Sequence, residues 1–302
     1  MMIRAPFLSS IISPMLAGTL AGVYVTGTFN WLNFLLVFTS GVCLHIAVNV
    51  YNDIYDTLQG TDKINVHRNE FSGGSGVLLD FPDSMPTMYR IARSALVLAL
   101  LATLLLVFRV DPRQRVAISS LYLLAAFFSK FYTAAPLKLA YRGLGEISVW
   151  FAFGPMAILI AAAAQNAWLQ PAVTAVMPIT GISTLSILLI GQMIDLDADK
   201  ATGKWGIAAR SGNKVTAFTY IAVQILLCIN VLLLGFFIFD HGWLLIACLL
   251  PYALILPKTG RMLIKGYDDP ETLKAAAGLN VQLHLMFSVL FFLMLLLIVI
   301  LH

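Results

Sequence analysis

From Asn280 to Leu301 the chain contains no Asp, Glu, Lys or Arg, and none occurs between Thr216 and Phe239. A helix needs about 20 mostly apolar residues to cross the hydrocarbon core of a bilayer, and these runs are that long. Nine such runs can be read between charged or Pro, Gly and Asn breaks: 7–27, 31–54, 88–108, 116–132, 144–164, 173–195, 216–239, 242–262 and 280–301. Lipid offers no hydrogen bonds to exposed backbone, so each run is expected to be helical. Composition agrees, with 60% of residues hydrophobic and only 11% charged. A soluble domain carries about 25% charged residues, and so few charges could not cover its surface. Disordered, collagen-like and disulfide-scaffold chains are excluded on the same figures. The expectation is an all-α integral membrane protein, one polytopic domain spanning 1–302, with nine transmembrane helices embedded in a lipid bilayer.

The net charge of +4 does not point to nucleic acid, because basic residues collect in the cytoplasmic loops of membrane proteins. Cys43, Cys228 and Cys248 sit in apolar runs without paired spacing, which argues against a disulfide framework or a zinc site. A single early charge, Arg4, is a meagre start for a cleaved signal peptide.

Nine spans place the N-terminus on the same side as the loops after the second, fourth, sixth and eighth. Of the 19 Lys and Arg, all but Arg109, Arg113 and Arg115 fall on that side, which the positive-inside rule makes cytoplasmic. The C-terminus then lies opposite. Of the 15 Asp and Glu, only Asp111 and Asp240 lie on the poor side. Acids contribute little to orientation, so this second asymmetry calls for a functional reason.

The acids concentrate at two helix ends. At the end of the second span, Asn49, Asn52, Asp53 and Asp56 fall within an arc of about 100° on a helix. At the end of the sixth, Gln192, Asp195 and Asp199 share a face about 60° wide, while Asp197 points nearly the opposite way. Carboxylates converging in a cavity repel one another, and a divalent cation resolves the conflict. Oxygen-only ligands suit a hard ion, and Mg²⁺ typically takes one or two carboxylates plus phosphate oxygens. Two such stripes facing each other would hold a diphosphate through Mg²⁺ and stabilise the charge on a leaving group. Lys63 and Arg68, the glycine-rich stretch Phe71 to Gly76, and Lys204 and Arg210 after the second stripe supply positive charge and backbone N–H groups beside it.

These motifs resemble those of the UbiA superfamily of intramembrane prenyltransferases. Asn49, Asn52, Asp53, Asp56, Gly60 and Asp62 match the N-x-x-N-D-x-x-D-x-x-x-G-x-D pattern, and Asp195, Asp199, Gly203 and Lys204 match D-x-x-x-D-x-x-x-G-K. The stretch from Tyr132 through Lys138 to Tyr141-Arg142-Gly143-Leu144-Gly145-Glu146 is most similar to the dihydroxynaphthoate branch of menaquinone synthesis. The resemblance covers all nine spans. It implies Mg²⁺-dependent ionisation of a polyprenyl diphosphate and attack by an aromatic acceptor that loses its carboxylate. Asp53, Asp56, Asp195 and Asp199 would be catalytic and, with Asn49, would hold the metal. Asn49, Asn52, Lys63, Arg68, Tyr132, Lys138, Arg142, Gln192 and Lys204 would bind substrate. Placement in the plasma (inner) membrane follows from the same likeness.

Three positions depart from the branch: Gly191 beside Gln192 where Asn is common, Arg4-Ala-Pro6-Phe-Leu at the start, and Trp205-Gly206 where Arg-Thr is commoner. His45 lies one turn deeper than Asn49 on the same face and is a candidate for contact with the acceptor or a stripe residue; the bland alternative is a packed, hydrogen-bonded histidine. Gln224, Asn230, Gln282 and His284 are expected to bond between helices. Motif spacing suggests two parallel four-helix units, spans 1–4 and 5–8, plus a ninth helix, with the site between the halves. A terpene cyclase, a prenyltransferase with another acceptor and a cation-coupled transporter remain alternatives, although acids at helix ends rather than at the midplane speak against the last.

Overall fold

The computed structural model describes residues 5–72 and 74–302; Arg4 and Gly73, named above, lie outside the described residues. Nine long helical bodies follow in order: α1 Ser9–Thr26, α2 Trp31–Gln59, α3 Met85–Arg109, α4 Pro112–Phe131, α5 Gly145–Ala164, α6 Pro171–Ile194, α7 Ile207–Phe237, α8 Gly242–Lys265 and α9 Pro270–Leu301. No strand forms among the described residues; Asn69 and Ser72 make an isolated antiparallel bridge. The chain is thus an all-helical, multi-pass membrane protein.

Among the described residues, eight helices are long and apolar enough to cross a membrane. The exception to the nine expected is α4, whose first turn is Pro112-Arg113-Gln114-Arg115. Two other expectations also shift. The last helix begins at Pro270, ten residues before the apolar run, because Asp269 caps it by accepting the Thr272 N–H at 2.9 Å and Pro270 suits the first turn. Helix α7 begins at Ile207, nine residues early, with a kink at Gly212 (φ 81°) that lets its polar start turn away from the apolar stretch.

Small residues set the packing. Gly18 and Gly22 of α1 lie against α5, where a Cβ on Gly18 would sit 2.6 Å from the Ile158 carbonyl oxygen. Backbones approach this closely only where one helix lacks side chains. Gly18→Val should therefore lower stability by about 3 kcal/mol, read as a fall in melting temperature in detergent; an unchanged melting point would show that the α1–α5 seam can part without cost. In the second half of the bundle, the Asn280 amide oxygen accepts from Tyr220 OH at 3.0 Å, Gln224 Nε2 at 3.1 Å and Ser186 Oγ at 3.2 Å. His284 and Ser183 share a 2.8 Å bond. These are the interhelical bonds expected of Gln224 and His284, whereas Asn230 bonds its own helix through the Leu226 carbonyl and Gln282 is exposed.

Helix α5 is interrupted by a π-helical turn at Ala152–Met156, around Pro155. Such widenings often mark functional sites. Here the turn presents Phe153 to the interior space described next.

Candidate active site

Helix α2 ends where Gly60 adopts φ 89°, a conformation that glycine takes without strain, and the chain turns into the short helix Thr61–Ile64. Helix α6 ends at Asp195, and a second short helix, Leu196–Thr202, carries Asp199. The two ends and the loops after them enclose a chamber of about 190 Å³. Asn49, Asn52, Asp56 and Asp62 line it from one side, and Gln192, Asp195, Asp199 and Lys204 from the other. The two acidic stripes, far apart in sequence, thus face one space.

Asp56 is 5% exposed and accepts three side-chain hydrogen bonds. Its Oδ1 accepts from Tyr141 OH at 2.7 Å, and its Oδ2 from Asn52 Nδ2 at 2.9 Å and Lys204 Nζ at 3.1 Å. Lys204 also lies 3.8 Å from Asp199 Oδ1, so one ammonium bridges the two stripes. Burial works to lower the Lys204 pKa, but Asp56 and Asp199 outweigh it and hold the ammonium well above its ordinary value. Asp199, 2% exposed, has its carboxyl pushed up to about 7 by burial, against the pull of Lys204. Burial also raises the Tyr141 phenol, helped by Asp56, and so keeps it a donor.

Asp195 is half-buried. It accepts from Asn65 Nδ2 at 2.7 Å and also from Ser72 Oγ, so the loop after α2 is tied to the end of α6. Asp53, 2% exposed, shares the α2 stripe but stands off the chamber wall, where its Oδ1 receives the Ser75 N–H at 3.2 Å. The glycine-rich loop therefore spends that N–H on a carboxylate. Gly74 lies against Asp62, where a Cβ would meet Oδ2 at 2.6 Å.

The expected substrate residues divide. Asn49, Asn52, Tyr132, Gln192 and Lys204 line the chamber. Lys63, Arg68, Lys138 and Arg142 do not. Lys63 and Arg68 are exposed, the Lys138 ammonium lies 5.4 Å from the Tyr141 ring centroid, and Arg142 donates to the Pro136 carbonyl at 3.1 Å. Their long side chains leave for solvent, ring and backbone partners because the loops that carry them run over the outside of the chamber. Asp197 is exposed, as its helical phase foretold. Tyr141, Asn65, Ser72, Glu146 and Thr184 enter the site without having been singled out. Tyr141 and Glu146 stood in a motif already noted and Ser72 in the glycine-rich stretch; Asn65 and Thr184 carry no signal in one sequence.

A second cavity, about 180 Å³ and overwhelmingly apolar, opens from the chamber. His45, Asn49, Asn52, Tyr132, Val149 and Phe153 belong to both and form the junction. The His45 ring lies 5.1 Å from that of Phe153. Beyond the junction the groove runs past Leu44, Phe128 and Met156 toward Met15, Val37 and Leu106. A charged head and a long hydrocarbon tail on one molecule would match this pair of spaces.

Among the described residues, no three His, Cys, Asp or Glu side chains converge closely enough to hold a metal by themselves. The two helix ends offer carboxylate and amide oxygens, and Asp199 is a buried carboxyl 3.8 Å from the Lys204 ammonium. This set matches a hard cation that takes one or two carboxylates and completes its shell with phosphate oxygens.

The sequence model of the UbiA prenyltransferase family matches residues 86–287. A 1,4-dihydroxy-2-naphthoate octaprenyltransferase of Mycobacterium tuberculosis is 30% identical over 72% of this chain and 70% of its own. A 2-carboxy-1,4-naphthoquinone phytyltransferase of Synechocystis is 25% identical over 93% of this chain and 87% of its own. In structure, a UbiA homologue from Aeropyrum pernix superposes with TM-score 0.69 at 15% identity, over 95% and 97% of the two chains. A UbiA homologue from Archaeoglobus fulgidus bound to DMAPP and Mg²⁺ superposes with TM-score 0.55 at 12% identity, over 95% and 99%.

Proposed function

The chain belongs to the UbiA prenyltransferase family, and from that premise we propose that it transfers a polyprenyl group from polyprenyl diphosphate to an aromatic acceptor of the 1,4-dihydroxy-2-naphthoate type, with Mg²⁺, in menaquinone synthesis. The observation that carries this reading is the continuity of the acidic chamber with the apolar groove. Diphosphate and prenyl tail each find a matching space, and C1 of the donor falls at the junction. The naphthoate-acting relatives support the acceptor.

In this reading Asp56, Asp195 and Asp199, with Asn49 and with Asp53 as a buried support, would hold Mg²⁺ together with diphosphate oxygens. When bound, the ion would neutralise the negative charge that grows on the departing diphosphate. Lys204 moves from its bridge onto a diphosphate oxygen and Asn52 donates beside it. Tyr141 holds Asp56 in place through its 2.7 Å bond. The apolar groove and the rings of Phe153 and Tyr132 keep water from the allylic cation, whose charge aromatic faces tolerate. The C1–O bond breaks with its electrons going to diphosphate. A ring carbon of the acceptor supplies the pair for the new C–C bond, and the ring recovers its electrons from the carboxylate lost as CO₂. The two four-helix halves, α1–α4 and α5–α8, are read as pseudo-repeats with this site between them. The excess of Lys and Arg in the loops beside the site supports reading that side, with the N-terminus, as the cytoplasmic face of the plasma membrane.

The test is incubation of the purified protein with Mg²⁺ and labelled polyprenyl diphosphate, with and without acceptors. Prenylated naphthoquinol is the expected product. Cyclic hydrocarbon without acceptor would show a cyclase instead, and absence of diphosphate release would overturn the enzyme reading.

The raised Asp199 pKa adds a pH dependence. Between the ordinary 3.8 and about 7 this carboxyl holds a proton in the folded protein that it lacks in the unfolded chain. It therefore costs stability progressively as pH rises through that window, and a bound cation would offset the cost by pairing with the ionised carboxylate, in competition with the proton. The Mg²⁺ concentration for half-maximal activity should increase several-fold from pH 8 to pH 6, and Asp199→Asn should flatten that dependence. A flat profile in the wild type would remove Asp199 from the metal set.

A further inference from the structure

The chamber wall away from the groove is one face of α6. Thr184, Ile187, Leu188, Gly191 and Gln192 recur on it at i, i+3, i+4, i+7 and i+8, and all line the chamber. Asp195, next on the same face, begins the acidic end. In the reading above, the diphosphate occupies that end and the tail leaves by the groove between α2, α4 and α5. Neither covers this strip, although it faces the junction where C1 would lie.

Two side chains on the strip keep hydrogen-bonding capacity in reserve. Gln192 is 7% exposed; its Nε2 donates to Glu146 Oε1 at 2.9 Å, while its Oε1 has no partner among the described residues. Thr184 is 6% exposed, and its hydroxyl has no partner either. Native interiors leave few polar groups in this condition without a reason. The amide is also held in one orientation. Glu146 accepts in addition from the Ile207 N–H and pairs with Arg210 at 3.8 Å. Gly206 packs against the amide, where a Cβ would lie 2.5 Å from Nε2. The two sequence departures Gly191-Gln192 and Trp205-Gly206 therefore meet in space, with the Gln192 amide packed on Gly206.

Between the two polar groups Ile187 and Leu188 offer an apolar surface, and Gly191 leaves a gap. A Cβ at Gly191 would touch only Ser72 Oγ, at an ordinary 3.4 Å. The strip thus reads polar, flat, open, polar along about 12 Å of helix. That pattern suits a fused aromatic ring bearing oxygen substituents at its ends.

We propose that this face of α6 is the acceptor-recognition wall, with Thr184, Gly191 and Gln192 deciding which aromatic acid is taken. Gln192 Oε1 accepts from a ring hydroxyl, the Thr184 hydroxyl donates to an oxygen at the other end, and the ring occupies the gap at Gly191. The inference rests on the prenyl-transfer reading.

The experiment compares wild type, Thr184→Val, Gly191→Ala and Gly191→Leu, after checking that their melting temperatures match. It measures KM separately for 1,4-dihydroxy-2-naphthoate and for polyprenyl diphosphate. Loss of one neutral hydrogen bond should raise the acceptor KM about three- to tenfold in Thr184→Val. Filling the gap should raise it more than roughly tenfold in Gly191→Leu and little in Gly191→Ala, as the Leu side chain alone reaches the ring. The KM for the diphosphate should hold in all of them. Acceptor KM values unchanged in a protein that transfers would overturn the wall and leave the transfer reading intact. A wild type that binds the naphthoate by calorimetry yet transfers nothing would sink the transfer reading instead. The wall is then judged by titration alone: heat lost in Gly191→Leu supports it, and heat retained overturns it.

Discussion

Asp56→Asn is expected to cut prenyl transfer by at least about 10³-fold, roughly 4 kcal/mol of transition-state stabilisation. Asp56 is the point where the α2 stripe, the Tyr141 loop and Lys204 meet, with three donors within 3.1 Å of its two oxygens. Asparagine keeps the shape and removes the charge. It withdraws a metal ligand and turns one acceptor oxygen into a donor that faces Asn52 or Lys204. The loss should fall on kcat, because the charge it answers develops only as the C1–O bond breaks. Asp197→Asn is the control: that carboxylate is exposed on the far side of its helix, and full activity is expected. Equal activity of the Asp56 variant and wild type would remove the acidic chamber as the site of ionisation.

Lys204→Met carries the second large effect, and it is one of stability. Lys204 lies between Asp56 and Asp199, both almost fully buried. Removing one partner from a buried ion pair leaves the other charge uncompensated, at a cost of about 3–5 kcal/mol. Here two carboxylates are left, and Asp199 should take up a proton at still higher pH. Mg²⁺ with a non-hydrolysable prenyl diphosphate analogue brings positive charge to the same carboxylates. The fall in melting temperature should accordingly be large in a chelator and much smaller with Mg²⁺ and analogue. A fall of equal size in both conditions would mean that Lys204 supports the loops rather than balancing the acids.

The class of this protein was legible from charge spacing. Runs such as Asn280 to Leu301 have no folded alternative in water, and backbone in lipid has none but the helix. Span ends were less legible, since a capped polar turn such as Asp269-Pro270 extends a helix without altering the apolar pattern. The α4 helix shows the converse: Arg113 and Arg115 make it too polar for an unaided span, although it packs among the others. Within the site, helical geometry phases Asn49, Asn52 and Asp56 toward the chamber and Asp197 away from it, but not Asp53, which stands off the wall, nor the break at Asp195 that puts Asp199 on a second short helix. The basic residues could not be sorted that way. Lys204 faces the acids, whereas Lys63, Arg68, Lys138 and Arg142 leave for other partners, because loop residues have no fixed phase from which direction can be read.

By itself, the sequence determined that the chain lives in a membrane, that its segments are helices, and that two sets of carboxylates sit at two helix ends with their faces known. Periodicity and the cost of burying charge are local properties, and they act residue by residue. Only the tertiary structure decided that the two ends share one chamber, that an apolar groove joins it at Phe153 and Tyr132, and that Tyr141 and Lys204 complete it. It also decided that Thr184 and Gly191 share a wall with Gln192. These relations depend on how close helices approach, which small residues such as Gly18 and Gly206 permit at particular points, and such distances arise only when the faces are packed together.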